Sequence, residues 1–250
     1  MNSTEFIIQG IITAIELIAG MDPYILSIAG VSLKVSGTAT FLAAMTAIPL
    51  SFIISHREFW GKQTLLTLIN TGMGLPSVFV GLFVFIMLVP AGPLGFLKLI
   101  FTPEAMIIAQ YILVTPIITG ISLAAINAVP PAIRENAYTL GGSHRDIAVV
   151  VLKEAKFGIV TSVLAGFGRA IAEVGAILIV GGNIAYTGSV GGIGEGLSYT
   201  RTLTTAITSE TSSGDISVAI ALGLILITIN LSVNAAASML QRRGEVSGTA

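Results

Sequence analysis

The chain has 250 residues, 54% of them hydrophobic and 10% charged, with a net charge of −1 and a mean hydropathy of +0.92. Soluble domains carry about 25% charged residues, so this is the composition of an integral membrane protein, and the net charge by itself says nothing about nucleic acid, which is not an expected partner. Cysteine is absent, which excludes disulfides, a thiol nucleophile and zinc–cysteine sites; His56 and His144 stand far apart in sequence, so no metal site is expected.

The N-terminus, MNSTEFIIQG, has an acidic residue and no basic region ahead of its apolar stretch, so it reads as a retained helix rather than a cleaved signal. A bilayer span needs about 20 mostly apolar residues, and six candidates follow in order. The first, roughly 5–20, is short, carries Glu5 and Glu16, and ends at Asp22-Pro23. The second, roughly 31–54, ends at His56-Arg57-Glu58. The third, roughly 64–90, contains Pro76 and stops at PAGPLG. The fourth, roughly 104–128, contains Pro116 and ends at Pro130-Pro131. The fifth, roughly 157–180, runs into Gly181-Gly182-Asn183, and the sixth, roughly 216–240, ends at Arg242-Arg243. Together they make a single transmembrane domain over 1–250.

Short loops rich in Lys and Arg stay in the cytoplasm. The connections 55–63 and 130–156 with the C-terminus hold eight such residues, and those at 21–34, 91–103 and 183–215 hold three. Both termini and the connection 130–156 are therefore expected in the cytoplasm. The stretch 181–196, GGNIAYTGSVGGIGEG, is glycine-dense but lacks the Lys-Ser/Thr ending of a phosphate-binding loop. No such motif occurs anywhere, so ATP-driven transport would need its ATPase in another subunit.

Within 130–156 lies RENAYTLGGSHRD, a polar stretch in a greasy chain. Residues 132–140 suit a short helix after Pro130-Pro131, with Ile133, Ala137 and Leu140 at i, i+4 and i+7 on one face. Gly141 or Gly142 suits a left-handed C-terminal cap, and Ser143 with Asp146 a capping box for a second helix running through Ile147 and Val151 towards the fifth span. The product is a helix–turn–helix knob with an apolar stripe and charged flanks, too tethered and too weakly basic for DNA.

ENAYTLGG resembles the EAA motif of ABC importer permeases, E-A-A-x-x-x-G, through Glu135, Ala137 and Gly141; Asn136 replaces the middle small residue, and Lys153-Glu154 stand where a downstream Leu-Pro is usual. The resemblance implies a coupling helix seated in a groove of an ATP-binding subunit. Glu135, Ala137, Leu140, Gly141 and Ser143 would then be the ATPase-coupling residues.

The fifth span contains GFGRAIAEVGAILIVGGN. Arg169 and Glu173 are four apart, which on one helix puts them on one face, about 18–24 Å from its cytoplasmic start. Ionisable groups at that depth face a bundle interior or a watery path, so the pair is either a packing ion pair or a gate. Gly166, Gly168 and Gly175 would admit another backbone closely. The pattern R-A-x-x-E-x-G-A followed by G-N is similar to permeases for sulfate, molybdate and tungstate, as are GLPSVFVGLF, GPLG and YTRTLTTAITSETSSGD. The combination looks most like the tungstate branch, over about Ser32 to Asn234, with a longer glycine-rich loop between Asn183 and Tyr199 as the departure.

The expected fold is an all-α integral membrane protein of about six transmembrane helices with a cytoplasmic helical coupling loop, the type I ABC importer permease fold. The expected function is the permease subunit of an ATP-driven importer for a tetrahedral oxyanion, tungstate or molybdate, working by alternating access. The resemblance implies a homodimer in the cell membrane, two ATPase subunits carrying ATP and Mg, and an external oxyanion-binding protein. It implies no catalytic residue and no cofactor in this chain. Pathway or gate candidates are Arg169, Glu173, Gly175, Asn183, Arg201, Thr202, Thr204 and Thr205, the hydroxyls offering donors to a dianion without a dense positive trap. An ion-coupled secondary oxyanion carrier, with Arg169 and Glu173 as coupling groups, is the alternative, and a structural membrane scaffold the third class.

Overall fold

The computed structural model of the chain describes residues 3–185 and 197–247; most of the glycine-rich loop, 186–196, lies outside them. Eleven α-helices occur among the described residues. They are α1 (Ser3–Ala19), α2 (Pro23–His56), α3 (Lys62–Met73), α4 (Ser77–Leu88), α5 (Pro103–Asn127), α6 (Pro131–Thr139), α7 (His144–Glu154), α8 (Lys156–Ile171), α9 (Gly175–Gly181), α10 (Leu203–Ser213) and α11 (Ile216–Ser247). The only strand-like pairing among them is an isolated bridge between Ala185 and Ser198.

Among the described residues, three helices are long and apolar enough to cross a bilayer: α2, α5 and residues 216–241 of α11. The expected second span begins well before residue 31, because Asp22 starts a helix as well as ending one. Its Oδ1 accepts the N–H groups of Tyr24 (2.9 Å) and Ile25 (3.2 Å), and Pro23 has no N–H to satisfy. The first expected span is short in the structure too: α1 has 17 residues.

The third and fifth expected spans are each interrupted. Pro76 is the N-cap of α4, with extended φ −62° and ψ 124°, and the chain breaks there between α3 and α4. Pro116 and Pro49, by contrast, lie inside unbroken helices. The fifth span breaks at residues 172–174, between α8 and α9. Glu173 is therefore not on one continuous helix with Arg169, which corrects the shared face that their spacing suggests. The helix α10 has no counterpart among the six expected spans.

The chain divides into two compact units. The first comprises residues 1–39, 76–110 and 170–231. Its core packs Ala14, Ile25, Ile28, Leu203, Ala206, Ala221 and Leu222, so α1, the start of α2, α10 and α11 converge on one apolar centre. Also in this unit, α4 and α9 approach until a Cβ on Gly81 would sit 2.6 Å from Ala176 Cα. Only glycine permits that approach. The second unit comprises residues 40–75, 111–169 and 232–250. One of its clusters packs Ile126, Val129, Ile147, Val151 and Ala155, and another packs Ile54, Ile69 and Leu123. Polar side chains inside it pair across helices: Ser122 with Ser162 at 2.7 Å, and Ser51 donating to the Thr119 carbonyl at 2.9 Å. Such bonds average about 0.6 kcal/mol in a membrane, so they set register more than they set stability.

Candidate functional site

The knob belongs to the second unit and is built from α6 and α7. Pro130 and Pro131 open α6 without losing a helical hydrogen bond, since the first N–H groups of a helix have no partner within it. The helix closes in a Schellman arrangement: Gly142 N–H donates to the Ala137 carbonyl and Gly141 N–H to the Tyr138 carbonyl, each at 3.0 Å. The two glycines serve different needs. Gly141 has φ +76°, a region that side chains disfavour. Gly142 lacks room, since a Cβ there would sit 2.7 Å from the Ala137 oxygen.

The expected capping box is present. Ser143 N–H and Oγ–H both donate to Asp146 Oδ2, at 2.9 and 2.6 Å, and Asp146 N–H donates back to Ser143 Oγ at 3.4 Å. These bonds from the Ser143 side chain and backbone lower the Asp146 carboxyl below its usual value. The hand-over to the fifth span needs no proline: Ala155 stays in the right-handed helical region between α7 and α8, and its carbonyl accepts the Ile159 N–H.

Ile133 and Ala137 pack partly against the cluster around Ile147 and Val151, whereas Leu140 stands 88% exposed just past the end of α6. The stripe therefore divides into an anchoring half and a protruding end. Leu140, Asn136 and Val150 border a groove of about 410 Å³ with Ile133 and Ala137. Glu135, Gly141 and Ser143 are exposed. Arg134, which looks like a solvated flank in sequence, is a strut: its Nη2 donates to the Ile126 carbonyl at 3.0 Å and to Ser55 Oγ at 3.4 Å.

A polar region lies in the first unit. Glu173 is 3% exposed. Its Oε1 accepts the Ala176 N–H at 3.2 Å, which satisfies the start of α9, and its carbonyl accepts the Thr204 hydroxyl at 2.6 Å. Gly175 lies against Val78 and Ser77, where a Cβ would come within 2.8 Å of Val78 Cγ2. Thr202 and Thr205 form the capping box of α10. The Thr200 hydroxyl donates to the Gly181 carbonyl at 2.6 Å and accepts the Ile184 N–H at 2.8 Å. Thr200, Thr202, Thr204 and Thr205 are all buried. They hold backbone rather than standing open as a donor array.

Arg201 is likewise engaged. Its Nη1 donates to the Tyr24 hydroxyl at 2.6 Å, Tyr24 donates to Glu210 Oε1 at 2.5 Å, and Arg201 lies 3.7 Å from the same carboxylate. Its Nε donates to the carbonyl of Asn183 at 3.3 Å. Asn183 has φ +52°, and its Oδ1 is buried with no partner among the described residues. Arg169, in the second unit, is half-buried on α8. Sequence reasoning missed Tyr24, Glu210, Ser32 and Gln110. Gln110 is fully buried and donates to the Ala170 carbonyl at 2.8 Å, and Ser32 Oγ accepts the first N–H of α10 at 2.7 Å. A lone Gln within AMIIAQYILV was the available signal for Gln110.

Residues 47–245 match the family model for the binding-protein-dependent transport system inner membrane component. The chain belongs to this permease family. The permease is 48% identical to a probable anion ABC transporter permease protein of Haloferax volcanii, over 88% of this chain and 92% of that one. It is 38% identical to the tungstate uptake system permease protein TupB of Peptoclostridium acidaminophilum, over 95% of this chain and 99% of that one. Among solved structures, an amino acid ABC transporter crystallised with histidines superposes with a TM-score of 0.63 at 20% identity, covering 90% of the permease and 96% of that chain. A bacterial ABC transporter for alginate import gives 0.63 at 18%, covering 87% and 79%. The fold is thus that of an ABC transporter permease, and the permease is a multi-pass membrane protein.

Proposed function

We propose that the permease carries a tetrahedral oxyanion, tungstate first and molybdate next, inward through the membrane as the channel-forming subunit of an ATP-driven importer. The observation that carries this reading is the 38% identity to a tungstate uptake permease across 95% of the chain. The relative from Haloferax volcanii, described as an anion permease, agrees with it in substrate charge.

Two copies of the chain form the pathway, with both termini in the cytoplasm. Two ATPase subunits, which bring ATP and Mg, grip the knobs through Glu135 to Ser143, and an external binding protein delivers the ion. The support within the chain is a knob rigidly capped at both ends of its turn, presenting Leu140 on a groove. ATP closes the ATPase pair, the knobs move together, and the pathway turns outward. Arg169, Glu173, Gly175, Asn183 and the 201–205 segment act as gate or pathway wall rather than as a tight site. No catalysis is assigned to the chain itself.

Reconstitution of the permease with its ATPase and binding protein tests the proposal. Tungstate uptake is expected only when all three components and ATP are present. Uptake by the permease alone, driven by an ion gradient without ATP, would establish the secondary-carrier reading instead.

A further inference from the structure

Trp60 is the only tryptophan in the chain, it takes no part in the knob or the polar region, and it is 101% exposed. It stands on the corner 57–61 that joins α2 to α3. Two features hold the corner's shape. Gly61 turns the backbone with φ +89°, and Lys62 Nζ donates to Glu58 Oε1 at 2.7 Å. Phe59, beside Trp60, is exposed as well.

The surface leading to this corner is apolar. On the last turns of α2, Phe41, Leu42, Met45, Leu50 and Ile53 are all exposed. At 3.6 residues per turn they occupy one half of the helix circumference, and Phe41 to Ile53 spans about 18 Å along the axis. That is more than half of the roughly 30 Å hydrocarbon thickness of a bilayer. Within one further turn the same surface passes to His56, Arg57 and the aromatic pair, all exposed. An apolar face that gives way abruptly to basic and aromatic residues marks the boundary between hydrocarbon and headgroups, where tryptophan is enriched.

A recess of about 890 Å³ opens beside Trp60, walled by Phe59, Leu65, Leu66 and Leu68 with the Glu58–Lys62 pair at its rim. Leu65 and Leu66 pack against the buried cluster of Ile54, Ile69 and Leu123, so this wall is fixed from within. We infer that the corner is a membrane-interface anchor: Trp60 sits at the headgroup boundary and the recess seats a phospholipid acyl chain, with the Lys62 ammonium at its rim to meet the phosphate. The lipid is favoured over a protein partner because the corner continues the apolar face of a membrane-spanning helix and adds cations to it. The inference is independent of which ion the permease carries.

The lone tryptophan is its own reporter. In vesicles of phosphatidylcholine and phosphatidylglycerol, Trp60 emission is expected to be blue-shifted and poorly quenched by aqueous iodide. Lipids brominated near the carbonyl end of their chains are expected to quench it several-fold more strongly than lipids brominated near the chain terminus. Leu68→Asp puts a charge into the recess at an exposed position; it is expected to lower the quenching by the shallow brominated lipid without lowering yield. Water-like emission with full access to iodide would overturn the anchor. So would shielding that appears only when ATPase subunits are added, or shielding without any bromolipid quenching, which would mark a protein contact. Undiminished quenching in Leu68→Asp would overturn the acyl seat.

Discussion

Gly141 and Gly142 look interchangeable in sequence, yet they fail differently when altered. Gly141→Ala keeps all hydrogen bonds but forces a side chain into φ +76°, at a cost of about 1–2 kcal/mol. Gly142→Ala drives a Cβ to 2.7 Å from a carbonyl oxygen, so the turn itself must open. Thermal unfolding in nanodiscs should show a modest loss for the first, and ATPase-coupled uptake should fall further for the second. Leu140→Asp should do the reverse. At 88% exposure it touches little of this chain, and surface changes of that kind stay within about 0.5 kcal/mol. Its expected effect is ATP hydrolysis uncoupled from uptake in a normally assembled permease, and normal uptake would remove the knob's assigned role. Glu173→Ala should cost folding as well as transport. It strips the Ala176 N–H of its buried acceptor, a loss of about 1–3 kcal/mol that a purely gating residue would not show in assembly yield.

Helix ends and helix breaks carry most of what is distinctive in this chain. The box between Ser143 and Asp146 makes a pH prediction with a definite sign. The Asp146 carboxyl is held below its usual value by bonds from Ser143, so its contribution is complete above the unfolded carboxylate value of about 3.9. It is lost only as pH falls through the lower folded value. Hydrogen exchange at the first turn of α7, corrected for intrinsic rates, should stay flat across neutral pH and deteriorate only in strong acid. Loss of protection near neutral pH would contradict the box. The contact between α4 and α9 makes a second prediction. Gly81→Leu must push apart two helices whose backbones meet at Ala176, and overpacking typically costs about 1–3 kcal/mol or more. Reduced recovery of folded permease from the membrane is the expected readout. The break at Pro76 was visible as a residue type, but Pro116 carries the same residue type inside an unbroken helix. Proline alone therefore does not say which span is divided.

For the permease as a whole, the described residues of the 200–205 segment offer an ion no open array of donors. The hydroxyls from Thr200 to Thr205 bind backbone, and Arg201 is engaged by Tyr24 and Glu210. An ion that met the folded chain tightly would raise its stability, by about 2.7 kcal/mol at a hundredfold excess over Kd. The unfolding temperature of the isolated permease should therefore not move with tungstate, while that of the external binding protein should. A clear shift of the permease would reveal a site formed by donors other than these.

Composition and local pattern by themselves determined that the chain is helical, membrane-embedded and equipped with a wet, capped knob. The reasons are local: apolar runs of bilayer length, basic residues gathered in the connections, and capping residues at fixed offsets act within a few turns of chain. The Schellman turn at Gly141 and the box at Ser143 were legible for that reason. Tertiary packing alone decided that Glu173 caps a separate helix instead of facing along α8, and that Arg134 is a strut instead of a flank. It also decided that α10 exists as a helix whose first turn is buried, within a stretch read from sequence for its hydroxyls. Several of the deciding partners lie far away in sequence: Ser55 for Arg134, Thr204 for the Glu173 carbonyl, Ser32 for the first N–H of α10. A buried polar group takes whichever partner the fold brings within hydrogen-bond reach, because leaving it unpaired costs more than any local preference can supply.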